Sequence, residues 1–150
     1  MTDDYTNPID PGFGDLGGMS EEGSKLAADL IDKGEYQGII AAYTVQEMTG
    51  GSPLAGTKAL RVRVNLDIGN GRQRPLFFNV SGFDRRWPDG GVVREYLLLG
   101  QLAKATGNVG KSTEAIMQAG QVTSLTYVVG KRTRKDGDEE NTVVAIRRPR

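Results

Sequence analysis

Leu60-Arg61-Val62-Arg63-Val64-Asn65-Leu66-Asp67-Ile68-Gly69-Asn70-Gly71-Arg72-Gln73-Arg74-Pro75-Leu76-Phe77-Phe78 is the stretch on which the fold turns. Up to Ile68 the even-numbered residues are aliphatic and the odd-numbered ones are Arg, Arg, Asn and Asp. This is the period-two alternation of a strand with one buried face. Asn-Gly follows, and both residues tolerate the positive φ of a type I′ turn, which makes the pair a strong hairpin signal. A two-residue loop at Asn70-Gly71 sets Asp67 opposite Arg74, Val64 opposite Phe77 and Arg63 opposite Phe78. Successive residues point to opposite faces, so this register sends Phe77 into the core and brings Phe78 out among Arg61, Arg63 and Arg74. An aromatic ring among arginines on an exposed sheet face suits the stacking of unpaired bases and the neutralising of their phosphates. A loop or partner subunit covering the ring accounts for it equally well.

Composition narrows the chemistry. The chain has 150 residues, enough for one domain with a substantial core. It has no cysteine and no histidine, which excludes disulfides, thiolate nucleophiles, imidazole bases and the usual zinc sites. An enzyme would have to work with carboxylates, Lys, Tyr or Ser, and a non-catalytic protein without cofactor or metal is the expectation. The acidic start and short apolar runs carry no signal-peptide or membrane-span pattern, which predicts a soluble intracellular protein, cytoplasmic for a bacterial source.

The zero net charge conceals an asymmetry. Residues 1–35 hold nine acids against two bases, a net of −7, and residues 36–150 hold ten acids against seventeen bases, a net of +7. A basic body with an acidic arm fits a body that binds nucleic acid. The arm itself competes for the basic face, recruits a partner, or serves only as a solvated tail.

The organisation follows from turn and cap signals. Residues 1–33 form the acidic arm: a Gly/Pro-punctuated stretch expected to be disordered to residue 19, then a short helix from Ser20 to about Lys33. Residues 34–150 form the domain. Strands are expected at Tyr36–Met48, interrupted by Gly38, then at Lys58–Ile68 and Arg72–Ser81. A helix from Val93 ends at Gly107, and a second, capped by Ser112, runs to Ala119. Two strands close the chain, Gln121–Thr133 and Glu140–Arg148, around Asp136-Gly137. Three strands, a helical crossover and two strands describe a mainly β, five-stranded Greek-key barrel, the OB-fold.

Three further motifs bear on function. Ala105-Thr106-Gly107-Asn108-Val109-Gly110-Lys111-Ser112 fits a relaxed phosphate-loop pattern, but a helix rather than a buried strand precedes it. It reads better as one helix end followed by the next helix start. In Lys131-Arg132-Thr133-Arg134-Lys135, the inferred pairing sets Lys135 opposite Asp138, Arg134 opposite Glu139 and Thr133 opposite Glu140. That leaves Lys131 and Arg132 as the candidates for phosphate contact. The same pairing sets Tyr127 opposite Ile146 and turns it inward. Arg85-Arg86-Trp87, in a Gly-flanked loop, either stacks on a base with its guanidiniums on phosphates or plugs the barrel end.

The run Gly34-Glu35-Tyr36-Gln37-Gly38-Ile39-Ile40, the alternating strand, Leu76-Phe77-Phe78-Asn79, and Tyr96-Leu97-Leu98-Leu99-Gly100-Gln101-Leu102-Ala103-Lys104-Ala105-Thr106-Gly107 together resemble small phage-encoded single-stranded-DNA-binding proteins. The resemblance covers roughly residues 34–148, with Asn141 near the closing strand. It implies an OB-fold that coats single-stranded DNA, without catalysis and with little sequence readout, during phage DNA replication or recombination in the host cytoplasm. Replication or recombination proteins are then candidate partners of the acidic arm, which lies at the N-terminus here and at the C-terminus in many such proteins. The rival reading is an interaction or structural adaptor on the same fold, binding protein rather than DNA. A carboxylate-based nuclease would need clustered acids for metal ions, whereas the acids beyond the arm are scattered or paired with bases.

Overall fold

The computed structural model describes residues 30–149. Most of the acidic arm, including the helix expected from Ser20, lies outside the described residues. The last part of that expectation is corrected: Leu30 to Lys33 carry no helix and lead directly into the first strand.

Strand β1 spans Gly34–Glu47, β2 Lys58–Gly69 and β3 Arg72–Val80; helices α1 and α2 span Arg94–Thr106 and Thr113–Val122; β4 spans Leu125–Thr133 and β5 Glu139–Arg147. The chain is mainly β. The five strands form one antiparallel sheet in the order β3-β2-β1-β4-β5.

β1 organises the sheet. Gly38–Glu47 pairs with β2 and Gly34–Gly38 pairs with β4, so the strand changes partner at Gly38. A Cβ there would lie 2.9 Å from Leu66 Cδ2 and 3.0 Å from the Asn65 carbonyl oxygen. Glycine inside a strand marks a bend or a close backbone approach, and the expected interruption is therefore a corner within a continuous strand. A bulge between Ile40 and Ala42 adds local twist just beyond it.

The apolar positions of all five strands share one face. Ile40, Val62, Val64, Leu66, Phe78, Val80, Leu125, Tyr127, Val129, Val143 and Ile146 are buried, together with Leu98, Leu99 and Leu102 of α1 and Ile116 and Met117 of α2. Tyr127 stands opposite Ile146 as the pattern predicts, with its ring centroid 5.9 Å from that of Phe78. Its hydroxyl is buried without a hydrogen-bond partner, and burial pushes the phenol pKa well above its ordinary value.

The helices end where their cap residues dictate. Gly107 takes φ 74° and its N–H donates to the Ala103 and Lys104 carbonyls, while the Ser112 side chain accepts from the Ala115 N–H. The segment resembling a phosphate loop is thus the passage between two helices. α2 continues past the expected end at Ala119 because Gly120 lies against β1: a Cβ at Gly120 would be 2.5 Å from Ile40 Cδ1. The following strand accordingly starts at Leu125 rather than at Gln121.

α1 lies between the two edge strands. The Ser81 N–H, just past β3, donates to the Glu95 carbonyl at 3.1 Å, and the Ile146 N–H of β5 donates to Gln101 Oε1 at 2.8 Å. Both edges thus end on the same helix, which takes up one backbone N–H from each. Gln101→Leu is expected to destabilise the fold by about 1–3 kcal/mol, because it strands a partly buried N–H. Gln101→Glu, which keeps the acceptor, should cost less. Urea denaturation of the two variants checks the difference.

Candidate nucleic-acid interface

The outward face of β1–β3 is a grid that the ladders define. Ile39, Asn65 and Pro75 form one row; Ala42, Arg63 and Phe77 the next; Thr44, Arg61 and Asn79 the third. Rows lie about 6.6 Å apart along the strands and columns about 4.8 Å apart across them. Arg61 and Arg63 are exposed, Phe77 is 48% exposed and Ile39 43%. The Arg61 guanidinium lies 4.6 Å from the Phe77 ring centroid. That geometry is a cation–π contact, which fixes the ring and leaves part of it open to solvent.

Two expected members of this face are elsewhere. Phe78 is buried, 7% exposed, opposite Val62 rather than Arg63; Arg74 stands opposite Leu66, on the side of the apolar face, and not among Arg61 and Arg63. The turn itself is as predicted, with Asn70 at φ 57° and Gly71 at φ 72°. The register slips because Asp67 pairs with Gln73 while Gly69 pairs with Arg72, leaving Ile68 as an extra residue. The cause is local: Asp67 Oδ1 accepts the Gly69 N–H at 2.9 Å and Gly69 sits at φ 96°, which bulges the strand. One extra residue exchanges the faces of everything beyond it. Phe77 therefore takes the outward position that the two-residue loop had assigned to Phe78.

Charge changes sign along the same strand. Outward residues of β2 run Arg61, Arg63, Asn65, Asp67. Beyond them Glu35, Tyr36, Gln37, Asp67 and Gly69 line a shallow open depression. Glu35 there accepts from Arg147 Nη1 at 2.9 Å. Along β2 itself, the outward arginines that attract a polyanion stand at the Arg61 end and not at the Asp67 end.

In comparison with known proteins, no family model matches this chain. No curated protein matches it either.

In residues 83–91, Trp87 is 44% exposed. Arg86 forms a bridge with Val92, and the Trp87 N–H donates to the Gly91 carbonyl at 2.8 Å, making a small ribbon. Arg86 carries its own counter-ion: Asp84 lies 3.2 Å from it. Arg85 instead stacks over Phe83, 5.5 Å from the ring centroid. Phe83 was not among the predicted residues. The signal for it is Phe-x-Arg, because side chains two apart in extended backbone share a side.

The second basic run is also partly neutralised. Its turn has three residues between Arg134 and Asp138, with Gly137 at φ 91°, rather than two around Asp136-Gly137. The pairs become Thr133–Glu139, Arg132–Glu140 and Lys131–Asn141. Arg132 forms an ion pair with Glu140, so a phosphate would have to compete with that carboxylate for its guanidinium. Arg134 reaches Asp136 at 3.2 Å and Asp138 at 3.3 Å. The Asp138 N–H, donated to Asp136, holds that carboxyl below its ordinary pKa, with Arg134 acting in the same direction. Lys131 remains exposed opposite Asn141. Among the described residues no helix is long and apolar enough to cross a membrane.

Proposed function

We propose that this protein binds single-stranded DNA on the outward face of β1–β3, without catalysis and with little sequence preference. The observation that carries the proposal is the half-open Phe77 ring with Arg61 against it and Arg63 directly opposite it in the ladder. An open aromatic face accepts any unpaired base, and adjacent guanidiniums offset the phosphates on either side. Asn65 and Asn79, on the same face, add hydrogen-bonding capacity without fixing one base.

The fold reading that accompanies the proposal is an OB-fold barrel. Its support is the strand order, with β3 and β5 at the edges and α1 spanning both, together with the corner at Gly38 and the bulges that curl a sheet. OB-folds take oligonucleotides on the strand 2–3 face, where Arg61, Arg63 and Phe77 stand. A coat for single strands during phage DNA replication or recombination is the setting that the sequence resemblance adds.

A protein-binding adaptor is the second reading, and it has its own observation: Asp84 and Glu140 neutralise Arg86 and Arg132. Half-exposed aromatics beside Arg are also what protein interfaces select. Equilibrium binding to a labelled oligothymidylate and to a duplex of equal length separates the two readings. Preference for the single strand is expected, and a folded protein that binds neither would leave the adaptor standing.

A further inference from the structure

Beyond the sheet face, two more half-exposed aromatic rings stand on one short segment, Phe83 at 45% and Trp87 at 44%. The segment is held rigidly for a loop. The Phe83 N–H donates to Ser81 Oγ at 3.1 Å, the Gly90 N–H to the Trp87 carbonyl at 2.8 Å, and the Val93 N–H to the Arg85 carbonyl at 3.3 Å. Asp89 Oδ1 accepts the Gly91 N–H at 2.8 Å, fixing the turn. Rings that face solvent from a fixed backbone lose little conformational freedom on binding.

The chemistry of the segment repeats that of the sheet. Arg85 lies against Phe83 as Arg61 lies against Phe77, at 5.5 Å and 4.6 Å. Chain direction links the two places. β3 carries Phe77 and then Asn79 on the outward face and ends at Val80, next to Arg61 and Leu60. Phe83 follows three residues later. Six residues at no more than about 3.5 Å each keep the α-carbons of Phe77 and Phe83 within about 21 Å. One strand of nucleic acid covers that distance in about six nucleotides at a stacked spacing of about 3.4 Å, and in fewer when extended. The opposite exit from Phe77 leads past Asn65 to Asp67, where β2 carries an outward acid in place of an arginine.

We infer that Phe83 and Arg85, with Trp87 beside them, form a second base-stacking station that receives the continuation of the strand lying on Phe77. The inference rests on the single-strand reading of the sheet face. It gives the site a direction, from Ile39 and Phe77 across Arg61 toward the 83–91 ribbon, and a length requirement.

The full chain is titrated with oligothymidylates of about 4 and about 12 nucleotides, lengths that bracket one station and both. The wild-type protein should bind the longer one at least about tenfold more tightly, with quenching of Trp87, the only tryptophan. Phe83→Leu combined with Arg85→Ala keeps apolar bulk but removes the π face and the cation. This variant should lose about tenfold for the longer strand and less than about twofold for the shorter. Phe77→Leu should weaken both lengths. A variant that keeps the whole length advantage overturns the second station, as does a parallel loss for both lengths. No binding of either length by wild-type protein overturns the sheet-face reading and this inference with it.

Discussion

Phe78→Ala is expected to destabilise the domain by about 3–5 kcal/mol, the cost of emptying a buried aromatic site. The ring is 7% exposed and packs on Tyr127, whose own side chain is fully buried. Phe77→Ala, one residue earlier, should leave the fold within about 1 kcal/mol of wild type, since it removes an exposed cation–π contact. Its effect belongs to binding, a loss of about 1–3 kcal/mol for one stacked base. Chemical denaturation and oligothymidylate titration of both variants read the two quantities. Destabilisation by Phe77→Ala and not by Phe78→Ala would mean that the bulge at Ile68 is absent in solution.

Arg61→Glu combined with Arg63→Glu should abolish most single-strand binding while the protein stays folded. Both side chains are exposed on β2, and the Arg61 guanidinium lies on the Phe77 ring rather than in the core. A hydrogen bond to a charged group is worth about 1.5–3 kcal/mol, so the affinity should fall at least about 100-fold at low salt. The salt dependence should change as well, its log–log slope becoming shallower by about 1.4 when two phosphates are no longer neutralised. Unchanged affinity in this variant, with an unchanged circular dichroism spectrum, would place the binding surface elsewhere on the molecule.

The outline of the fold was legible because its signals are local and periodic. Alternation over Leu60–Asp67, the Asn70-Gly71 turn, the Gly107 helix end and the Ser112 cap each depend on a few adjacent residues, and the structure has each of them. Bulges have no period, and both registers suffered from them. At the first hairpin the Asp67 carboxylate captures the Gly69 amide and inserts Ile68, and the identity of the exposed phenylalanine changes. Asp-x-Gly directly before Asn-Gly is the pattern that could have revealed it. At the second hairpin, the three-residue turn shifts the pairs near it, then an extra residue at Val144 shifts them back. That compensation is why Tyr127 opposite Ile146 was right while Arg132 opposite Glu140 was missed. The Arg86–Asp84 pair was readable in principle, since residues two apart on extended backbone share a side.

The measurement that tests the central claim most directly is equilibrium binding of a labelled single strand and a duplex of equal length across a salt series. The Phe77 face can stack only on an unpaired base, so the single strand should bind more tightly at every salt concentration. Its log–log slope should be about −1.4 or steeper, from Arg61 and Arg63 each displacing counterions at about −0.7 per phosphate neutralised. Equal affinity for the two forms would reduce the face to a non-specific cationic patch, and a flat salt response would contradict the role given to Arg61 and Arg63.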